Sequence, residues 1–137
     1  MSEFACDTSV AVPLLLRHHR AHDAVMDVLH GHTLRLAGHA VSETYAVLTR
    51  LPGASRLAPD DAVTLLSARF ATPVGLPTEA VRNLPRRFAD AQLAGGSVYD
   101  ALVALAAHHA NLLLATRDGR ARGTYERLGV EVYLVRD

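Results

Sequence analysis

Leu112-Leu113-Leu114-Ala115-Thr116-Arg117-Asp118 is the stretch that decides the fold. Its compact apolar run, Leu112 to Ala115, is the pattern of a strand covered on both faces, and such strands belong to parallel sheets with helices packed on either side. Its flanks agree. Upstream, Gly95-Gly96 is a turn and Ser97 opens a strongly apolar helix through Ala110. Downstream, a helix around Ala121 to Leu128 ends at Gly129, and Val130 to Val135 is the last strand.

The amino-terminal half repeats the alternation. Phe4-Ala5-Cys6 is a first strand, followed by the capping candidates Asp7-Thr8-Ser9 and a helix. A second helix is predicted over Ala21 to His30. A strand follows over Thr33 to Ala37, turning at Gly38 into a helix over 40–51. Pro52-Gly53-Ala54-Ser55 breaks that helix, and Pro59 begins another with Val63, Leu66 and Phe70 at core spacing. The proline-bounded stretch 73–77 is at best an edge strand, and Thr78 to Leu93 is mainly helical with an irregularity at Pro85. Strand and helix in turn imply an α/β chain with a parallel sheet. No repeat, linker or low-complexity tract interrupts it, so 1–137 is expected to be a single domain.

Half of the residues are hydrophobic and 20% are charged, as in an ordinary globular chain. The early apolar run Val10 to Leu16 contains a proline and follows an acidic Glu3 instead of a basic segment; it is too short for a membrane span and has the wrong flanks for a signal peptide, so a cytoplasmic protein is expected. Cys6 is the only cysteine and reads as a buried thiol. All 14 basic residues are arginine. The absence of lysine excludes P-loop nucleotide binding, Schiff-base catalysis and lysine-assisted phosphoaspartyl chemistry. Net charge is zero, so any grip on nucleic acid must come from local patches or a metal.

Asp7, Glu43, Asp100 and Asp118 each fall where a strand ends or a helix begins. An α/β fold gathers such positions at the carboxyl edge of its sheet, where four carboxylates repel one another unless a cation joins them. They are therefore a candidate metal site. Taken singly, each has a plainer reading. Asp7 and Asp118 suit N-caps, Ser97 and Asp100 have capping-box spacing, and Glu43 suits a solvated flank. Asp23, Asp27, Asp60, Asp61 and Glu126 fall on exposed helix faces instead.

In order and spacing, Phe4-Ala5-Cys6-Asp7-Thr8-Ser9, Glu43, Tyr99-Asp100-Ala101-Leu102, Leu114-Ala115-Thr116-Arg117-Asp118, Tyr125 and Leu128-Gly129-Val130 resemble a PIN-domain ribonuclease, specifically the VapC-like toxins of toxin–antitoxin pairs. The resemblance runs nearly the full length. It implies a three-layer PIN-like fold with a mostly parallel sheet of four to five strands. It also implies that Asp7, Glu43, Asp100 and Asp118 bind Mg²⁺ or Mn²⁺; of these, Asp7, Asp100 and Asp118 are taken as direct or water-mediated ligands, with Glu43 completing the shell or orienting the attacking water. Thr8, Ser9 and Thr116 are then candidates to support those ligands or a phosphate, and Arg117, Arg120 and Arg122 to meet RNA phosphates. Some members carry another acid where this chain has Arg120, which leaves a second metal open. The implied activity is metal-dependent cleavage of structured RNA of the translation machinery. The implied partners are a VapB-like antitoxin and a second copy in a homodimer.

Two other functions compete: a non-catalytic PIN-like module that binds RNA or protein, and a phosphoaspartyl enzyme or receiver. The hydrolase form of the last wants an acid at Ser9 and a later lysine, and the chain has neither. His18 and His22 have zinc-compatible i, i+4 spacing without a cysteine or the glutamate of a metalloprotease motif, so polar helix ends are the reading preferred. His39 precedes the Glu43 helix and is a weaker candidate for the site, while Arg82, Arg86 and Arg87 read as surface residues. The apolar helices 40–51 and 59–70 offer a groove for an antitoxin tail, although the core must claim most of their side chains.

Overall fold

In the computed structural model, which describes residues 2–136, the run at Leu112 supplies a central strand. Strand β3 (Leu113–Thr116) lies between β1 (Glu3–Cys6) and β4 (Val132–Leu134), and β1 pairs on its other side with β2 (Thr33–Leu36). The order is β2-β1-β3-β4 and every pairing is parallel, with Cys6 opposite Leu36 on one side and Ala115 on the other. Ala5, Cys6, Leu114 and Ala115 are fully buried, as strands covered on both faces require.

Parallel neighbours need crossover connections, and these supply the helices. Helices α1 (Thr8–Leu15) and α2 (His22–Leu29) carry the chain from β1 to β2. Between β2 and β3 come α3 (Ala40–Thr49), a short 3₁₀ turn at Gly53–Ser55, α4 (Pro59–Arg69), α5 (Thr78–Arg82), α6 (Leu84–Asp90) and α7 (Ser97–His109). Helix α8 (Arg122–Arg127) leads into β4. The expected three-layer α/β sheet is therefore present, with four strands among the described residues. No described helix is long and apolar enough to cross a membrane.

Two expectations need correction. Val63 is not a core residue: it is 55% exposed, because α4 turns Ala62 inward and Val63, one residue further on, falls about 100° away. Leu66 packs partly against the core and Phe70 is buried, as their spacing implied. The helix predicted over 78–93 is two helices. Pro85 sits in the first turn of α6, where a missing N–H costs nothing, so the break falls upstream at Asn83. The stretch 73–77 contributes a single parallel bridge, Ala37 to Val74, at the β2 edge.

Candidate active site

Two strands and two helices position the four acids. Asp7 follows β1 and Asp118 follows β3, so both stand at the carboxyl edge where the connections diverge to opposite sides of the sheet. Glu43 and Asp100 lie in the first turns of α3 and α7, where the helix dipole favours a negative charge. The two helices meet closely. Gly38, with φ +53°, lies just before α3, and a Cβ there would come within 2.5 Å of the Leu102 carbonyl oxygen in α7. All four acids then line one pocket of about 260 Å³, together with Thr8, Ser9, Val103 and Tyr125. A larger cavity of about 540 Å³, bordered by His108, Asn111, Glu126 and Glu131, contains none of the candidate residues.

Asp7 is only 4% exposed and is fastened through both carboxylate oxygens. Oδ1 accepts from the Ser9 hydroxyl at 2.6 Å and, as the cap of α1, from the Val10 N–H at 3.3 Å. Oδ2 accepts from the Thr116 hydroxyl and from the Tyr125 phenol, the latter at 2.9 Å. Burial pushes the Asp7 pKa above its ordinary 3.8, and these four hydrogen bonds pull against it. The hydroxyls are held in turn: Ser9 Oγ accepts from the Arg117 N–H at 2.7 Å and Thr116 Oγ1 from the Asp118 N–H at 3.0 Å. Burial, with Asp7 beside it, raises the Tyr125 phenol pKa. Cys6 is buried and its thiol pKa is raised by burial, then by Asp7, which suits an inert core thiol.

Asp100 is held differently. The capping box is absent: the Ser97 hydroxyl donates to the Ala94 carbonyl at 2.8 Å and accepts from the Ala94 N–H at 3.3 Å. Among the described residues no hydrogen bond reaches the Asp100 carboxylate. Its pKa is raised by burial first, then by Asp118, Asp7 and Glu43, while Arg120 acts in the other direction. A half-buried carboxylate among three like charges is an electrostatic deficit that a cation removes. Asp118 combines both readings, because its Oδ1 accepts from the Arg120 and Ala121 N–H groups at 3.0 and 3.2 Å at the start of α8 while the side chain borders the pocket. Glu43 is exposed at the rim and accepts from the Thr8 hydroxyl at 3.0 Å. Thr8 accepts in turn from Thr44 at 3.3 Å.

Oxygen-only donors of this kind fit a hard divalent ion. Among the described residues no three His, Cys, Asp or Glu side chains stand close enough to ligate one ion together. Mg²⁺ keeps several of its waters and is satisfied with one or two carboxylates, so the two observations are compatible.

The remaining candidates separate. Arg120 reaches Asp118 with its Nε 3.9 Å from Oδ1 and a side chain 98% exposed. Arg117 contributes its backbone N–H, while its side chain borders a different cleft with Leu134, Val135 and Arg136. Arg122 pairs with Glu126 along α8 at 3.5 Å. His39 stacks on Tyr99 at 4.7 Å between ring centroids, and borders an apolar hollow instead of the acids. His22 bonds the Pro13 carbonyl oxygen at 2.7 Å, and His19 Nδ1 accepts from the Ala21 N–H at 3.0 Å, both local partners at a helix junction. Tyr125 and Thr44 are the polar residues that sequence reasoning did not assign to the site. For Tyr125 a signal existed, since a phenol on a helix pointing into the core needs a hydrogen-bond partner there.

The PIN domain family matches residues 4–126. The ribonuclease VapC27 of Mycobacterium tuberculosis (strain ATCC 25618 / H37Rv) is 55% identical over 128 residues, covering 93% of each chain. Ribonuclease VapC40 of the same species (strain CDC 1551 / Oshkosh) is 42% identical over 132 residues, 96% of this chain and 98% of its own. Among solved structures, the DNA-bound VapBC of Salmonella typhimurium superposes with a TM-score of 0.67 at 15% identity, over 99% of this chain and all of that one.

Proposed function

This chain belongs to the PIN-domain family, among its VapC ribonucleases, and from that premise we propose that Asp7, Glu43, Asp100 and Asp118 are its catalytic centre and that Mg²⁺, or Mn²⁺ in its place, is the working ion. It is an endoribonuclease toxin of a VapBC-type pair, with RNA as substrate and a cognate VapB-like antitoxin as partner. The observation that carries the metal reading is Asp100, which lies in a pocket with three other acids and has no hydrogen bond among the described residues.

Asp7, Asp100 and Asp118 are the residues to hold the ion, directly or through the waters it keeps. When bound, it supplies positive charge against the phosphodiester and makes a neighbouring water more acidic. The chain's own residues do the rest. Asp7, immobilised through both oxygens, sets the position of the site relative to the sheet. Glu43, exposed at the rim and steadied by Thr8, is placed to accept a proton from an attacking water. Arg120 is the cation beside the pocket that extends freely enough to meet an RNA phosphate. The substrate is proposed to be structured RNA, tRNA or rRNA, in the cytoplasm. Residues 1–137 are taken as one domain, and a homodimer is proposed as the form in solution.

For the antitoxin, the supporting feature is a mostly apolar hollow of about 290 Å³ bordered by Leu36, Val41, Leu66 and Phe70, between the end of β2 and helices α3 and α4. We propose it as the seat of the antitoxin tail.

The test is cleavage of tRNA and rRNA by purified protein. Activity is expected with Mg²⁺ or Mn²⁺, none in EDTA, and none from Asp100→Asn. Undiminished cleavage by Asp100→Asn, or cleavage that survives exhaustive chelation, overturns the metal assignment.

A further inference from the structure

The four donors to Asp7 come from three separate elements. Ser9 and the Val10 N–H belong to α1, Thr116 ends β3, and Tyr125 projects from α8. Each oxygen of the Asp7 carboxylate is thus held by two donors. Oδ1 is tied by a backbone N–H and its near neighbour in sequence. Oδ2 is tied by two side chains more than 100 residues away, and of these Tyr125 alone lines the pocket with the acids. Tyr125 is also 1% exposed, so its ring has no room to swing and its hydroxyl stays where the packing of α8 puts it.

We propose that Tyr125 is a positioning residue for the divalent-ion site: its phenol O–H, held on Asp7 Oδ2, fixes the plane of the Asp7 carboxylate across the gap between β1 and α8. The inference rests on the metal reading above and adds a residue to it. Without the hydroxyl, Oδ2 keeps Thr116 as its donor, and the carboxylate gains rotational freedom about its Cβ–Cγ bond. An ion then has to order the carboxylate as it binds. Hydrogen-bonding partners of metal ligands typically contribute about 10-fold to 100-fold in metal affinity.

Tyr125→Phe keeps the ring and removes one hydroxyl, a loss small enough for the chain to fold. Tyr133→Phe, on the exposed Tyr133 of β4, serves as control. Mn²⁺ binding is read by calorimetry without RNA, alongside the Mg²⁺ concentration for half-maximal cleavage, the RNA KM, and melting in EDTA. Tyr125→Phe is expected to raise the Mn²⁺ Kd and the half-saturating Mg²⁺ by about 10-fold with the RNA KM unchanged, and Tyr133→Phe to change neither. A lower melting temperature in EDTA with an unchanged Kd makes the hydroxyl merely structural and overturns the proposal. Tighter Mn²⁺ binding overturns it too, since the phenol then competes with the ion for Oδ2. If the unsubstituted protein binds no Mn²⁺, the metal reading itself falls.

Discussion

Asp7 accepts four hydrogen bonds and Asp100 accepts none among the described residues, so the same substitution asks different questions at the two sites. In Asp7→Asn one oxygen becomes an NH₂ group. It cannot face the Val10 N–H, so it must turn toward Thr116 and Tyr125, where both hydroxyls lose their acceptor. Such a mismatch costs about 1–3 kcal/mol. Asp7→Asn is therefore expected to abolish cleavage and lower the melting temperature together. Asp100→Asn breaks no bond and removes a charge repelled by three neighbours. It is expected to lose cleavage by about 100-fold or more, the scale on which one stabilising group at a reacting centre is felt, while melting no lower in EDTA than the parent. Paired activity and melting measurements check this, and a large destabilisation by Asp100→Asn would show that the carboxylate has a structural partner. Ser9 gives a complementary case. It donates to Asp7 and accepts from the Arg117 N–H, so Ser9→Ala is expected to cost about 1–2 kcal/mol in a urea or thermal melt.

At the scale of elements, the site depends on how closely α3 and α7 approach. Gly38 sits at φ +53°, and a Cβ there would meet the Leu102 carbonyl oxygen at 2.5 Å and its carbon at 2.9 Å, both backbone. In Gly38→Ala the backbone of α7 must move or the turn must open. Since α7 carries Asp100, stability is expected to fall by about 1–3 kcal/mol, the range for strained backbone, and cleavage to fall with it. A thermal melt beside an RNA cleavage assay checks both. Gly38 was legible in the sequence as a turn, but its contact with α7 was not, because a close approach between elements leaves no local pattern. The strands were legible for the opposite reason: Leu113 to Thr116 and Phe4 to Cys6 announce burial by their own composition. The four acids were legible through topology, as residues that follow strands or open helices. What each acid bonds to was less so. The Ser97–Asp100 spacing suggested a capping box, yet Ser97 turns back to Ala94, and Tyr125 reaches Asp7 across 118 positions of sequence. Val63 shows the limit of spacing alone, because an i, i+3 pattern is compatible with either of two adjacent faces, and α4 buries the one through Ala62.

For the molecule as a whole, the gathered acids are expected to make stability depend on pH and on divalent ions in opposite ways. Asp7 and Asp100 both have pKa values above the ordinary 3.8, each chiefly through burial. The folded state therefore binds more protons than the unfolded state between that value and the raised ones. Stability gained from these two groups is present at low pH and is lost as pH rises through the raised pKa values. In EDTA, their contribution is expected to lower the melting temperature on going from about pH 4 toward neutrality. Other groups titrate in the same window, so the difference from Asp100→Asn isolates one of them: the variant's melting temperature is expected to fall less over that range. Solvent screening of this half-buried side chain keeps the gap at or below about 1 kcal/mol, which is at most about 4 °C for a chain of this size. Mg²⁺ acts against the same repulsion, so it is expected to raise the melting temperature near neutral pH and to lose that effect on acidification as protons compete for the carboxylates. Melting curves across pH, with EDTA and with Mg²⁺, separate the two. Parallel pH profiles for parent and Asp100→Asn in EDTA would mean that the acids do not repel one another as the pocket implies, and the case for an ion between them would lose its electrostatic basis.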